Sequence, residues 1–317
     1  MALVLVVLAP LAVAAAAYVG LAHPGRSGGG RVPVVGVAPT PRAGAPAIRS
    51  EPLLVERPPP APRIRLSGDA AFRKRMRTPP VAGLVIDVKT GDALWQRHAR
   101  RILPIASLTK IMTAQVVTER SGPSERVKVT RAALHYSGAG VGLLPRGKHV
   151  RLETLLNGLL IVSGNDAAIA LADHVAGTER RFVRLMNLKA RALGLRCSHF
   201  ADAYGLNRHS RSCARDLAVL TRLAMRNRRI ARIARRRQVA FRFPIKGHRL
   251  FLSGHNPLLR ENYPGAIGLK TGYTVAAGRC FVGVARRHGR TLAVILLRSP
   301  NPYRQAPALL DAGFRSG

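Results

Sequence analysis

Pro104-Ile105-Ala106-Ser107-Leu108-Thr109-Lys110-Ile111-Met112-Thr113 is the stretch on which the reading of this chain turns. Leu108, Ile111 and Met112 fall at helical spacing. A helix is therefore expected to start near Ser107 and run to about Arg120, with Pro104 as a start signal. Positions three apart share a helix face, so Ser107 and Lys110 become neighbours, a hydroxyl beside an amine. A serine hydroxyl is a poor nucleophile until a base takes its proton. A lysine serves as that base once burial or a nearby cation lowers its pKa. The helix N-terminus would also favour a developing negative charge. Alone the pattern is weak, because Ser-x-x-Lys occurs on many solvated helices; its weight depends on the rest of the chain.

The chain has 317 residues and 47% hydrophobic content, enough for one large domain or two small ones. Its 52 Lys and Arg against 15 Asp and Glu give a net charge of +37. That excess points to a polyanionic neighbour: nucleic acid, an anionic membrane surface or an acidic cell-wall polymer. The competing reading is a general arginine bias with no dedicated binding site. Aromatic residues make up 5%, which argues against a base-stacking surface and hence against nucleic acid. Cys197, Cys213 and Cys280 lack the close spacing of a metal site. No metal and no cofactor is expected. One disulfide can form if the chain is exported, and the spacing leaves the pair open.

Residues 2–22 are apolar and uncharged, long enough to span a bilayer. Residues 1–22 are expected to be a signal peptide or a membrane anchor, although the usual positive start is missing. Residues 23–69 are rich in Pro, Gly and Arg and read as a disordered linker. Residues 70–317 form the globular part. There, 81–88 reads as a buried strand, 89–92 as a turn and 93–97 as the returning strand of a hairpin. The Gly-rich stretch 137–142 reads as a loop near the site. Residues 151–176 read as helical with a break at 162–166, 179–194 as an amphipathic helix, and 214–237 as a very basic helix. Strand-like pieces follow at 239–243, 267–273, 279–286 and 291–297, and a last helix near 305–312. Early strands must therefore pair with late ones around a helical middle.

Three stretches carry chemistry together: Ser107-x-x-Lys110, Ser163-Gly164-Asn165 in the helical break, and Lys270-Thr271-Gly272 in a predicted strand. Each alone has a bland reading as a helix surface, a turn or a hairpin. In this order, and on a helix, a loop and a strand, they fit one site. Ser163 can pass a proton between Lys110 and the leaving group. Asn165 can hold Lys110 and a substrate amide. Lys270 can supply a cation for a substrate carboxylate and lower the pKa of Lys110 by repulsion. Thr271 can hydrogen-bond that carboxylate, and Gly272 lets substrate backbone approach the strand. The N–H groups of Ser107 and Tyr273 can form an oxyanion hole.

These triplets occur in class A β-lactamases and penicillin-binding proteins. The sequence resembles the serine-type D-alanyl-D-alanine carboxypeptidases, the low-molecular-mass penicillin-binding proteins, over roughly residues 70–314. The likeness extends to Ser163-Gly164-Asn165-Asp166-Ala167-Ala168, to Met186-Asn187 before Ala192-Leu193-Gly194, and to Gly268-Leu269-Lys270-Thr271-Gly272-Tyr273-Thr274 with Ala277-Gly278-Arg279-Cys280. It implies an α/β, β-lactamase/transpeptidase-like fold, with an antiparallel five-stranded sheet flanked by helices and a helical subdomain. It also implies a peptidoglycan pentapeptide substrate and β-lactam antibiotics as inhibitors. Three residues follow Phe314, so the C-terminal β domain and amphipathic anchor of some members are not expected. A β-lactamase remains the close rival; Glu153-x-x-x-Asn157 superficially fits the carboxylate motif it needs, in the wrong order. A non-catalytic basic wall-binding protein is the other.

Overall fold

Residues 62–66 and 71–316 are described by the computed structural model. The apolar run and the linker up to residue 61 lie outside the described residues. β1 (Ala82–Asp87) and β2 (Ala93–Arg97) form the expected hairpin. Its turn is closed by the Asp87 carboxylate, which accepts from the N–H groups of Lys89 and Thr90 at 2.8 and 3.1 Å. Residue Ile64, within the stretch whose composition reads as linker, is buried against the domain, and Arg65 pairs with Asp92 at 2.5 Å.

The chain then passes β3 (Leu103–Pro104), a 3-10 turn at Ala106–Thr109, and α1 (Lys110–Arg120). The helix expected from Ser107 thus begins as a tighter turn. Next come β4 (Arg126–Lys128), α2 (Arg131–Leu134), β5 (His149–Arg151), α3 (Leu152–Ile161), α4 (Asn165–Ala176) and α5 (Glu179–Ala192). After β6 (Arg211–Ser212), the expected basic helix is two: α6 (Ala214–Arg226) and α7 (Arg228–Ala234). Asn227 ends the first with extended backbone and caps the second through its side chain, which accepts from the N–H groups of Arg229 and Ile230. β7 (Gln238–Arg242) pairs with β8 (Arg249–Ser253), and α8 (Pro257–Arg260) leads into β9 (Ala266–Thr274), β10 (Gly278–Arg287), β11 (Arg290–Leu297) and α9 (Pro302–Arg315).

The main sheet is five-stranded and antiparallel at every pairing, in the order β2-β1-β11-β10-β9. Early strands do pair with late ones, through β1 and β11. Side chains alternate between two cores. Leu292, Val294 and Leu296 of β11 face one, with Val85, Trp95, Phe281 and Leu309 and Leu310 of α9. Ala293, Ile295 and Leu297 face the other, with α1, α3, α4 and α6. Because both faces are covered, the central strands read as unbroken apolar runs. Cys197 and Cys213 form a disulfide with Cα atoms 5.5 Å apart, and Cys280 is free and buried.

Arg222 of α6 is almost fully buried and donates to the carbonyl oxygens of Arg63, Val88 and Lys89. One guanidinium thus ties α6 to the β1–β2 turn and to the segment ahead of the domain. Arg222→Met should cost about 3 kcal/mol, because three acceptors lose a charged donor. Urea unfolding of both proteins measures it.

Candidate active site

Ser107 lies in the middle of the 3-10 turn, where residues three apart eclipse one another. The Lys110 amine consequently donates to Ser107 Oγ at 3.2 Å. It also donates to Asn165 Oδ1 at 2.6 Å and to the Tyr204 carbonyl at 2.9 Å. Lys110 is wholly buried. Two neighbours set this turn in place. Ala106 is held at φ +48°, an unusual value for a side-chain-bearing residue. Gly205, at φ +91°, packs so closely that a Cβ there would meet the Ala106 carbonyl oxygen at 1.9 Å. On the other side, a Cβ on Gly272 would lie 3.1 Å from Ser107 N, so β9 approaches the serine through a glycine.

Asn165 starts α4 and is itself fixed from behind. Its Nδ2 donates to the Ser137 carbonyl at 2.5 Å, and its N–H to Ala139 O at 2.8 Å. The adjacent Asp166 carboxylate accepts from the N–H groups of Val141 and Gly142, each at 2.9 Å. The Gly-rich loop therefore belongs to the site, as its composition implied. Ser163 has φ +63°, and its buried hydroxyl has no hydrogen-bond partner among the described residues.

A cavity of about 400 Å³ opens over Ser107. Ser163, Thr271, Gly272 and Tyr273 line it as well, so with Ser107 five of the sequence-predicted site residues border one cavity. Lys110 and Asn165 sit behind Ser107. Lys270 is 2% exposed, and its amine donates to the carbonyl of its own neighbour Thr271 at 2.9 Å. His255, Arg279, Cys280 and Tyr303 also line the cavity. No motif in the sequence marks His255 or Tyr303; only the fold brings them in. The Tyr204 carbonyl is a main-chain group with no side-chain signature.

Burial holds Lys110 well below the usual lysine value, and the charge of Lys270 adds to the effect; Asp202 and Asp166 oppose it. Burial alone lowers Lys270 to about 7. For Lys110, desolvation thus outweighs the like-charge repulsion expected from the sequence.

Glu153 lies elsewhere. It is clamped by Arg229 at 2.9 Å and Arg232 at 3.0 Å, joining α3 to α7. Among the described residues that line the cavity, none carries a carboxylate. Cys197, Cys213 and Asp216 cluster as three metal-donor types, but the two sulfurs are bonded to each other. Asp216 accepts from Cys197 N–H at 2.7 Å and pairs with Arg215 at 3.2 Å.

A seryl hydroxyl against a buried amine, at the edge of a five-stranded antiparallel sheet, defines the site of a transpeptidase-like fold. A family model described as D-alanyl-D-alanine carboxypeptidase matches residues 79–301. The chain belongs to this family. The D-alanyl-D-alanine carboxypeptidase DacB2 of Mycobacterium tuberculosis is 36% identical over 245 residues, covering 74% of this chain and 82% of that protein. DacF of Bacillus subtilis, also a D-alanyl-D-alanine carboxypeptidase, is 31% identical over 242 residues, 74% of this chain and 61% of its own length. A solved variant of a Streptomyces DD-transpeptidase superposes with a TM-score of 0.71 at 30% identity, covering 76% of this chain and all of that one.

If Lys110 is the base and Lys270 the cation that holds the acyl donor, the two lowered lysines predict a bell-shaped pH dependence of acylation by penicillin. Below the Lys110 pKa the amine is protonated and cannot accept a proton, so the rate falls in acid. Above about 7, Lys270 loses its charge and its hold on an anionic acyl donor weakens. Second-order rates measured across pH test this; a single rise centred near pH 10 would contradict it.

Proposed function

We propose that this chain is a D-alanyl-D-alanine carboxypeptidase that removes the terminal D-Ala from peptidoglycan stem peptides through an acyl-enzyme on Ser107. The observation that carries the reading is the wholly buried Lys110 amine 3.2 Å from Ser107 Oγ. Oγ bonds to the carbonyl carbon of the penultimate D-Ala while its proton passes to Lys110. The oxyanion rests on the N–H groups of Ser107 and Tyr273. Ser163 relays the proton from Lys110 to the departing nitrogen, the C–N bond breaks, and D-Ala leaves. Water then attacks the ester, giving a proton back through Lys110 and restoring the Ser107 hydroxyl. Asn165 holds Lys110 and the substrate amide. Thr271 and Lys270 receive the carboxylate, and Gly272 gives the substrate backbone room.

A β-lactam presents the same carbonyl, and its ester should persist. The cavity lining offers no carboxylate to activate water, and Glu153 is occupied by two arginines. This favours the carboxypeptidase over the β-lactamase reading. The intact Ser107–Lys110–Asn165 contacts likewise argue against a non-catalytic binder. The disulfide supports an oxidising, extracytoplasmic location, with residues 1–22 as export signal or anchor. Among the described residues no helix is long and apolar enough to cross a membrane.

Intact-mass measurement after incubation with penicillin should give a penicilloyl adduct on the wild type and none on Ser107→Ala. Lys110→Arg puts a permanent cation in place of the lowered amine, one that cannot take the Ser107 proton, and should slow acylation about 10²–10⁴-fold. An adduct on Ser107→Ala, or wild-type rates in Lys110→Arg, would overturn the assignment.

We also propose that the basic surface retains the protein on anionic wall polymer. Arg229 is engaged by Glu153 and the Ser121 carbonyl, and Arg236 by Asn157, so these two belong to the fold. Arg226 at the end of α6, Arg228 at the start of α7 and Arg235 just past its end are exposed. Replacing these three by Gln should reduce retention on isolated wall and flatten its salt dependence, with small-peptide turnover unchanged. Unchanged retention would leave the charge as compositional bias.

A further inference from the structure

The third partner of the Lys110 amine is a main-chain carbonyl, that of Tyr204, and main-chain groups stay where their loop holds them. That loop is built around one carboxylate. Asp202 is 5% exposed. Its Oδ1 accepts from the Gly205 N–H at 2.9 Å and the Ser210 hydroxyl at 2.6 Å; its Oδ2 accepts from the Asn207 N–H at 2.8 Å. Ser210 Oγ in turn accepts from the Ala201 N–H at 3.0 Å, and its carbonyl accepts from Ile105 N–H at 3.3 Å, two residues ahead of Ser107. Thr113 of α1 donates to the Ala203 carbonyl at 2.6 Å, which pins the loop to the helix that carries Lys110. Gly205 completes the fit by its close approach to Ala106.

We propose that Asp202 is a positioning residue for Lys110: it closes the loop of residues 202–210 so that the Tyr204 carbonyl meets the amine, and it places a buried negative charge beside that amine. The inference rests on Lys110 acting as the base. Around the amine stand Lys270 from β9, Asp166 from α4, and Asp202 and the Tyr204 ring from the loop, with the ring centroid 6.0 Å away. Glu179 from α5 faces the loop and accepts from the Ala203 N–H at 2.9 Å. Lys270 favours the neutral amine, while Asp202 and Asp166 favour the ammonium. Asp202 therefore does two opposed things. It improves the geometry of proton transfer, and it keeps the amine from being neutral over the whole pH range. A base whose pKa lies near the working pH both accepts and returns a proton efficiently.

The sign of the effect distinguishes charge from scaffold. Removing the negative charge in Asp202→Asn makes the ammonium less favourable, so the acid limb of the penicillin-acylation profile should move to lower pH, by about half a unit or more. The plateau rate should fall, since Asn offers one acceptor oxygen where the carboxylate offers two. Ser210→Ala keeps the charge and removes two of the loop's hydrogen bonds, the one to Asp202 and the one from the Ala201 N–H. It should lower the plateau severalfold and leave the acid limb unmoved. Both full-length variants would be compared with wild type, with thermal melting as a check of folding. If Asp202→Asn folds and its limb stays in place or moves to higher pH, the proposal is overturned. If Asp202→Asn does not fold, Ser210→Ala decides: a wild-type plateau in that variant overturns the positioning role. Absence of any acid limb in the wild type would instead overturn Lys110 as the base.

Discussion

The burial of one amine is the constraint on which this structure depends. A lysine nitrogen in a dry interior is costly as a cation; as a neutral amine it donates its two N–H bonds to Asn165 Oδ1 and the Tyr204 carbonyl and turns its lone pair to the Ser107 hydroxyl 3.2 Å away. The chain therefore has to supply those three partners from separate places. The serine comes from the same turn, the asparagine from the start of α4, and the carbonyl from the 202–210 loop. Everything else in the site serves to bring these together: Asp166 and Ser137 fix the asparagine, Asp202 and Gly205 fix the carbonyl, and Gly272 lets β9 close against the serine.

The sheet makes this convergence stable. β1 and β11, from opposite ends of the domain, form its centre and are covered on both faces. β9, at the edge of the sheet, is left with one side unpaired by any strand of that sheet and bordering the cavity. An edge strand of this kind offers N–H and C=O groups to an extended peptide. Distant arginines contribute in a different way from surface charge. Arg222 and Arg229 reach carbonyls and a carboxylate across elements, so part of the high net charge is spent inside the fold.

Much of this was legible in the sequence, for identifiable reasons. The hairpin at residues 82–97 announced itself by an apolar run and a turn; the period of the apolar residues gave α3, α4 and α5 to within a few positions. The three motifs marked the site because side chains carry its chemistry. Other features had no such signal. The split between α6 and α7 hangs on Asn227, which reads as an ordinary polar residue within a basic helical run. β8, whose five residues alternate between exposed and buried, is not among the strands expected from the sequence. Asp202 reads as a cap or an arginine partner, yet it organises a loop whose useful product is a carbonyl oxygen. Like-charge repulsion from Lys270 was legible as a motif, but its rank below desolvation depends on burial, which only packing reveals.

The central claim, that Lys110 is a neutral amine at working pH, is most directly tested on the nitrogen itself. Lysine selectively labelled with 13C at Cε reports the protonation of each amine by its chemical shift, and Lys110→Arg assigns the resonance. The account predicts that the Lys110 signal titrates well below the ordinary lysine range and is neutral at the pH where penicillin acylation is fastest. A Lys110 signal that stays protonated up to pH 10, in a protein that acylates normally at neutral pH, would contradict it.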